Sequence, residues 1–119
     1  MPRYSATVLL GLILTPVLIS AGQVLFKLTS NRAGSVGAEG LIKILTDPYL
    51  LVALGIYGIG TVVWVYVLKA VPLTVAYPFM ALTFCVVPIL AWQFLGETLS
   101  LRYGVGAALI ISGLLVVNS

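Results

Sequence analysis

Residues 4–26 read YSATVLLGLILTPVLISAGQVLF, an uncharged run closed by Lys27. Its 23 residues would extend about 34 Å as a helix. The hydrocarbon core of a bilayer is about 30 Å thick, so such a run crosses it once. The pattern recurs: Asp47 and Lys69 bracket 21 uncharged residues, Lys69 and Glu97 bracket 27, and 17 more follow Arg102. As helices these runs give about 31, 40 and 25 Å. Backbone groups in lipid must pair within their own segment, and no strand-like alternation is present, so the spans are helices. The expectation is an all-α membrane protein of four transmembrane helices, at about 4–28, 48–68, 72–95 and 101–117, in a single domain over residues 1–119.

Composition agrees with that solvent. Hydrophobic residues make up 61% of the chain and charged residues 8%, against about 45–50% and 25% in soluble domains. The first run is too long for a secretion signal and is followed by more membrane, so it reads as a span. The net charge of +3 is too small for a nucleic-acid footprint. With no histidine and the single Cys85, neither a Ser-His or Cys-His nucleophile nor a zinc site of the usual kind can form, and no glycine-rich phosphate loop followed by lysine occurs. No enzyme activity, metal or cofactor is expected.

Residues 29–47 form the one sizeable loop, with Ser30, Asn31, Gly34, Ser35 and Gly37 as turn material and Leu41–Leu45 as a short interfacial helix. Asp47-Pro48 pairs an N-cap with proline at the first helical position. The short turn Lys69–Pro72 makes the second and third helices antiparallel neighbours, and Gly96–Ser100 makes the next turn. Lys27, Arg32, Lys43 and Arg102 fall on the side of the first loop, against Arg3 and Lys69 on the other. That small bias favours a cytoplasmic first loop and leaves either insertion open.

Within the spans, what is missing is informative. No Asp or Glu lies inside any of the four runs, whereas proton- or cation-coupled carriers need an intramembrane carboxylate. The first helix instead carries a polar stripe: Pro16, Ser20, Gln23 and Lys27 fall within a sector of about 60°. Such a stripe is either interhelical glue with a snorkelling lysine, or a polar groove whose cation suits a phosphate-bearing headgroup. Tyr57, Thr61 and Trp64 share one face of the second helix and suit either packing or a sugar pocket. Pro72, Pro78 and Pro88 predict an irregular third helix whose freed carbonyls need partners, with Tyr77 on its wall. Gly106, Ser112 and Gly113 give the fourth helix a small-residue face suited to a dimer seam.

Three segments together resemble the drug/metabolite transporter superfamily, in its four-helix EamA-like and small-multidrug-resistance-like branch. They are Ser20-Ala21-Gly22-Gln23 through Lys27, Val71-Pro72 through Ala76-Tyr77-Pro78, and Gly96-Glu97-Thr98-Leu99-Ser100. The Ala-Gly-Gln and Ala-Tyr-Pro pairings are most similar to the ArnE/ArnF type of flippase subunit for an undecaprenyl-phosphate-linked aminosugar. The multidrug exporters of this superfamily carry an essential glutamate eight residues before the matching lysine, where this chain has Ile19. Tyr77 matches a pocket tyrosine of those exporters, and Met80 replaces its neighbouring tryptophan.

The resemblance implies a subunit that flips an anionic, polyprenyl-phosphate-linked sugar across the bacterial inner membrane. Lys27 would attract the phosphate with Arg32 or Arg102 assisting, while Ser20, Gln23, Tyr57, Thr61, Trp64 and Tyr77 line the headgroup path. No proton site is visible, so movement would run down a gradient. The partner would be a second copy or a similar subunit, parallel or antiparallel. Two other readings stand beside it. An exporter of small amphiphiles predicts binding of lipophilic cations, and an accessory subunit predicts a cavity lined by apolar side chains alone.

Overall fold

A computed structural model of the chain describes residues 4–34 and 37–119; Arg3 and Ser35 lie outside the described residues. Helix α1 (Ala6–Ala33) opens on Ser5, whose hydroxyl accepts from the Val8 N–H at 3.3 Å. The first helix therefore continues past the expected end at Leu28, and Ser30 and Asn31 are helical rather than turn residues. Nothing in 29–33 breaks a helix: the Thr29 hydroxyl turns back onto the Leu25 carbonyl at 3.0 Å. The chain leaves the axis at Gly34, whose φ of 73° suits a residue without Cβ.

The rest of the first connection is itself helical. Helix α2 (Ala38–Thr46) buries Gly40 and exposes Leu41, Ile42 and Leu45. Asp47 then caps α3 (Pro48–Ala70), its carboxylate accepting from the Tyr49 N–H at 2.8 Å. The second carboxylate oxygen takes Arg32 Nε at 2.8 Å, and the Arg32 guanidinium lies 5.1 Å from the Tyr49 ring centroid. The end of α1 is thus pinned to the start of α3.

After Pro72 the helical rod Leu73–Leu95 has three parts: α4 (Leu73–Ala76), a 3-10 stretch (Tyr77–Leu82) and α5 (Thr83–Leu95). Pro78 has no N–H for the regular ladder, and the backbone tightens across it. Left-handed Gly96 (φ 69°) ends α5, with the Glu97 N–H reaching back to the Ala91 carbonyl at 3.3 Å. The stretch 96–100 carries no helix and runs back along α5, where Glu97 to Ser100 share a cavity wall with Val87, Pro88 and Ala91. Helix α6 (Leu101–Val117) therefore begins beside the middle of α5.

Helix α1 is the centre of the bundle, packed along α3 on one side and along the 3-10 stretch and α5 on another. The buried core (Leu12, Val67, Val71, Ala76, Phe79 and Leu114) lies at the end bearing the chain termini. Elsewhere large apolar side chains face outward, Leu109 at 69% exposure and Val116 at 72%, which only a lipid solvent tolerates over so much surface. Three helical stretches are long and apolar enough to cross a membrane: Ala6–Ala33, Pro48–Ala70 and Leu73–Leu95. At 17 residues, α6 is apolar but shorter. The chain is an integral membrane protein.

Candidate functional site

The polar stripe of α1 divides in two. Its lower half is shut inside the bundle: Pro16 is fully buried, and so is Ser20, whose hydroxyl donates to the Pro16 carbonyl at 2.7 Å. Ser20 is therefore a packing residue and lines no open path. The upper half opens outward, with Gln23 and Lys27 both exposed and one helical turn, about 6 Å, apart along the axis.

Gln23 is held by α3. Its amide Nε2 donates to Tyr57 Oη at 2.6 Å, and the Tyr57 ring stacks on Phe26 with centroids 5.2 Å apart. The ring fits there because residue 22 is glycine: a Cβ on Gly22 would collide with Cε2 and Cδ2 of Tyr57. Ala21-Gly22-Gln23 is thus one device, in which Gly22 makes the slot and Gln23 bonds what fills it.

On its other flank Gln23 borders a cavity of about 280 Å³ between α1, α5 and α6, lined by Ile19, Gln23, Thr83, Phe84, Val87 and Tyr103. Thr83 and Tyr103 were not among the residues expected from sequence. Tyr103 reaches this depth because α6 starts low against α5, and its hydroxyl donates to the Phe84 carbonyl at 2.8 Å. That carbonyl would bond the N–H of residue 88 in a regular helix, and Pro88 has none. The proline pattern carried the signal, since a freed carbonyl in lipid calls for a donor nearby. The Thr83 hydroxyl donates to the Met80 carbonyl at 2.7 Å. Ile19, the position of the exporters' glutamate, is part of the wall.

The other expected residues are not gathered here. Trp64 packs on the core at the opposite end. Thr61 is exposed and donates to the Tyr57 carbonyl at 2.7 Å, and Tyr77 points outward at 66% exposure. Arg102 is exposed at the start of α6. Arg32 is engaged by Asp47, although its side chain keeps 56% exposure. Among the described residues Lys27 makes no ion pair and no ring contact. Among the described residues of the three long helical stretches it is the cation without such a partner, since Arg32 is paired with Asp47 and Lys69 lies over the Tyr66 ring.

A second cavity of about 280 Å³ lies on the far side of α1, between Ala21, Val24, Leu25, Leu28, Leu90 and Phe94, and its wall is apolar. A third groove of about 190 Å³ between α5 and α6 includes Cys85, Pro88 and Ala107. On α6, a Cβ added at Gly106 or Gly113 would meet nothing in this chain, and Ser112 is exposed with its hydroxyl on the Ala108 carbonyl at 2.8 Å. The small-residue face is unused within the monomer.

No protein-family profile matches the chain, and no solved structure matches it. Individual relatives do. It is 35% identical over 111 residues to a protein of Erwinia tasmaniensis named "Probable 4-amino-4-deoxy-L-arabinose-phosphoundecaprenol flippase subunit ArnE", covering 93% of this chain and 96% of that one. Proteins of the same name from Yersinia pseudotuberculosis and Yersinia pestis are 38% and 36% identical over 74 residues, 62% of this chain. The match spans 65% of the length of those Yersinia relatives. The chain belongs to the family of ArnE flippase subunits.

Proposed function

We propose that this protein is a subunit of a flippase that moves a polyprenyl-phosphate-linked aminosugar across the bacterial inner membrane. Four spans carry it, with α6 and the non-helical stretch before it together completing the last crossing. The carrying observation is the open half of the α1 stripe: an exposed Lys27 without an ion-pair partner, one turn beyond Gln23, which lines a cavity together with Thr83 and Tyr103. A cation at this depth is costly unless a counter-charge visits it, and a phosphodiester is such a visitor. The spans hold no carboxylate to receive a cation instead, and Ile19 stands in the cavity wall.

The prenyl chain stays in the bilayer while the headgroup follows the stripe. With no titratable acid along the path, transport runs down the substrate gradient. A partner subunit, a second copy or a related chain, would close the open side of the groove. The free Gly106–Gly113 face of α6 supports that seam. The polar wall of the cavity also speaks against a purely accessory role.

Lys27→Ala tests the reading. In vesicles reconstituted with the subunit and its partner, flipping of the aminosugar lipid should be abolished by this replacement and retained by Lys27→Arg. Undiminished transport by Lys27→Ala would remove the phosphate-anchor role.

A further inference from the structure

The cavity below Lys27 has a chemical bias of its own. Tyr103 donates its hydroxyl hydrogen to the Phe84 carbonyl, and Thr83 donates its own to the Met80 carbonyl. A carbonyl can only accept, so neither hydroxyl has a hydrogen left for a guest, and each offers oxygen lone pairs. Gln23 has Nε2 engaged by Tyr57, which leaves Oε1 as its carbonyl acceptor. Against these oxygens the wall sets the second amide hydrogen of Gln23, and the remaining lining residues Ile19, Phe84 and Val87 are apolar. A phosphate placed there would meet lone pairs almost throughout and pay the cost of lost hydration.

We infer that this cavity is a subsite for the hydrogen-donating end of the headgroup, the hydroxyl and amino hydrogens of a sugar ring, while Lys27 above it holds the phosphate. The inference rests on the flippase reading and adds to it a direction: sugar inward on the Thr83–Tyr103 wall, phosphate outward on Lys27. Size is in keeping. A volume of about 280 Å³ sits at the lower edge of small-molecule pockets, which run from about 300 to 1,000 Å³, so it holds one ring and no prenyl chain. Discrimination follows from the same inventory, because an acceptor left unpaired on burial penalises a headgroup lacking the matching hydrogen.

The test is equilibrium titration of the full chain, reconstituted with its partner subunit in phosphatidylcholine nanodiscs and read by native mass spectrometry, with two probes. One is undecaprenyl phosphate; the other is its 4-amino-4-deoxyarabinose diester. In the parent protein the sugar should tighten binding by roughly tenfold, and Thr83→Val and Tyr103→Phe should each remove about threefold of that gain, the scale of one hydrogen bond. Thr83→Val is the cleaner variant, since the Thr83 N–H still reaches the Met80 carbonyl and the fold is preserved. Lys27→Ala should weaken both probes alike. If both probes bind equally, or the Thr83 and Tyr103 variants keep the full gain from the sugar, the subsite is overturned while the flippase reading stands. If neither probe binds, the flippase reading falls, and the subsite with it.

Discussion

Tyr103 and Phe84 are joined across two helices by a hydrogen bond of 2.8 Å, from the phenol of one to the backbone carbonyl of the other. The carbonyl is available because Pro88, four residues on, supplies no N–H. A proline that weakens α5 thereby creates the acceptor that anchors α6. Tyr103→Phe should destabilise the folded protein by about 1 kcal/mol, the scale of an interhelical hydrogen bond in a membrane protein. Pro88→Ala restores the missing donor within α5, so the same change should cost distinctly less in that background. Unfolding in mixed micelles, run as a double-mutant cycle, measures both; equal costs would show that the proline is not the cause.

Gly22→Ala should lower stability by about 1–3 kcal/mol through overpacking against Tyr57. Tyr57→Leu in the same chain should recover part of the loss by vacating the slot. The pair would also separate structure from transport, because the double variant lacks the Gln23 partner and should flip substrate poorly even when stable. Thermal unfolding in detergent and vesicle flipping report the two halves.

The Asp47 carboxylate serves two partners, the Tyr49 N–H and Arg32. Asp47→Ala removes a cap and an ion pair together and should cost about 1–3 kcal/mol. Asp47→Asn keeps a capping oxygen and should cost less. Because Arg32 is held by this pair, Arg32→Ala should lower the unfolding midpoint while leaving the affinity for undecaprenyl phosphate within about twofold of the parent. Titration alongside unfolding checks this, and a large affinity loss would return Arg32 to the binding path.

Ile19→Glu places a carboxylate in the wall of the Gln23 cavity. The variant should acquire saturable binding of tetraphenylphosphonium that the parent lacks, since an intramembrane acid is the group that holds a lipophilic cation. Equilibrium dialysis in detergent decides the matter, and cation binding by the parent would contradict the neutral wall.

Gly106→Leu and Gly113→Leu should leave the unfolding midpoint of the monomer almost unchanged, because a side chain at either position meets nothing within the chain. The same changes should weaken subunit association by tenfold or more if this face is the seam, the order expected where close backbone approach is blocked. Energy transfer between labelled subunits in vesicles measures it.

The three long helices were legible because charges bracket their apolar runs: Lys27, Asp47, Lys69 and Glu97 flank stretches of membrane length. The continuation of α1 to Ala33 was not, because Thr29, Ser30 and Asn31 are turn formers in water yet sit in the helix when a hydroxyl can bond the preceding turn. The irregular third rod was legible in Pro72, Pro78 and Pro88. The polar stripe itself was legible, since Gln23 and Lys27 stand out on an apolar helix, and the structure brings Tyr57 against Gln23. Thr83 and Tyr103 escaped notice because their meeting depends on how far α6 is offset along α5. That offset is a property of the non-helical stretch 96–100 and has no periodic signature. Ser20 shares the face of Gln23 on α1, but its position along the helix puts it where the bundle is closed, which an angle alone does not tell.

Even one helical residue advances about 1.5 Å, and non-helical chain more, further than a hydrogen bond can stretch. The Gly96–Ser100 tether therefore works as a ruler. Shortening it by one residue would slide Tyr103 off the Phe84 oxygen and redraw the wall of the cavity with every helix intact, so in this protein the length of a loop is as much a specificity setting as the identity of any side chain.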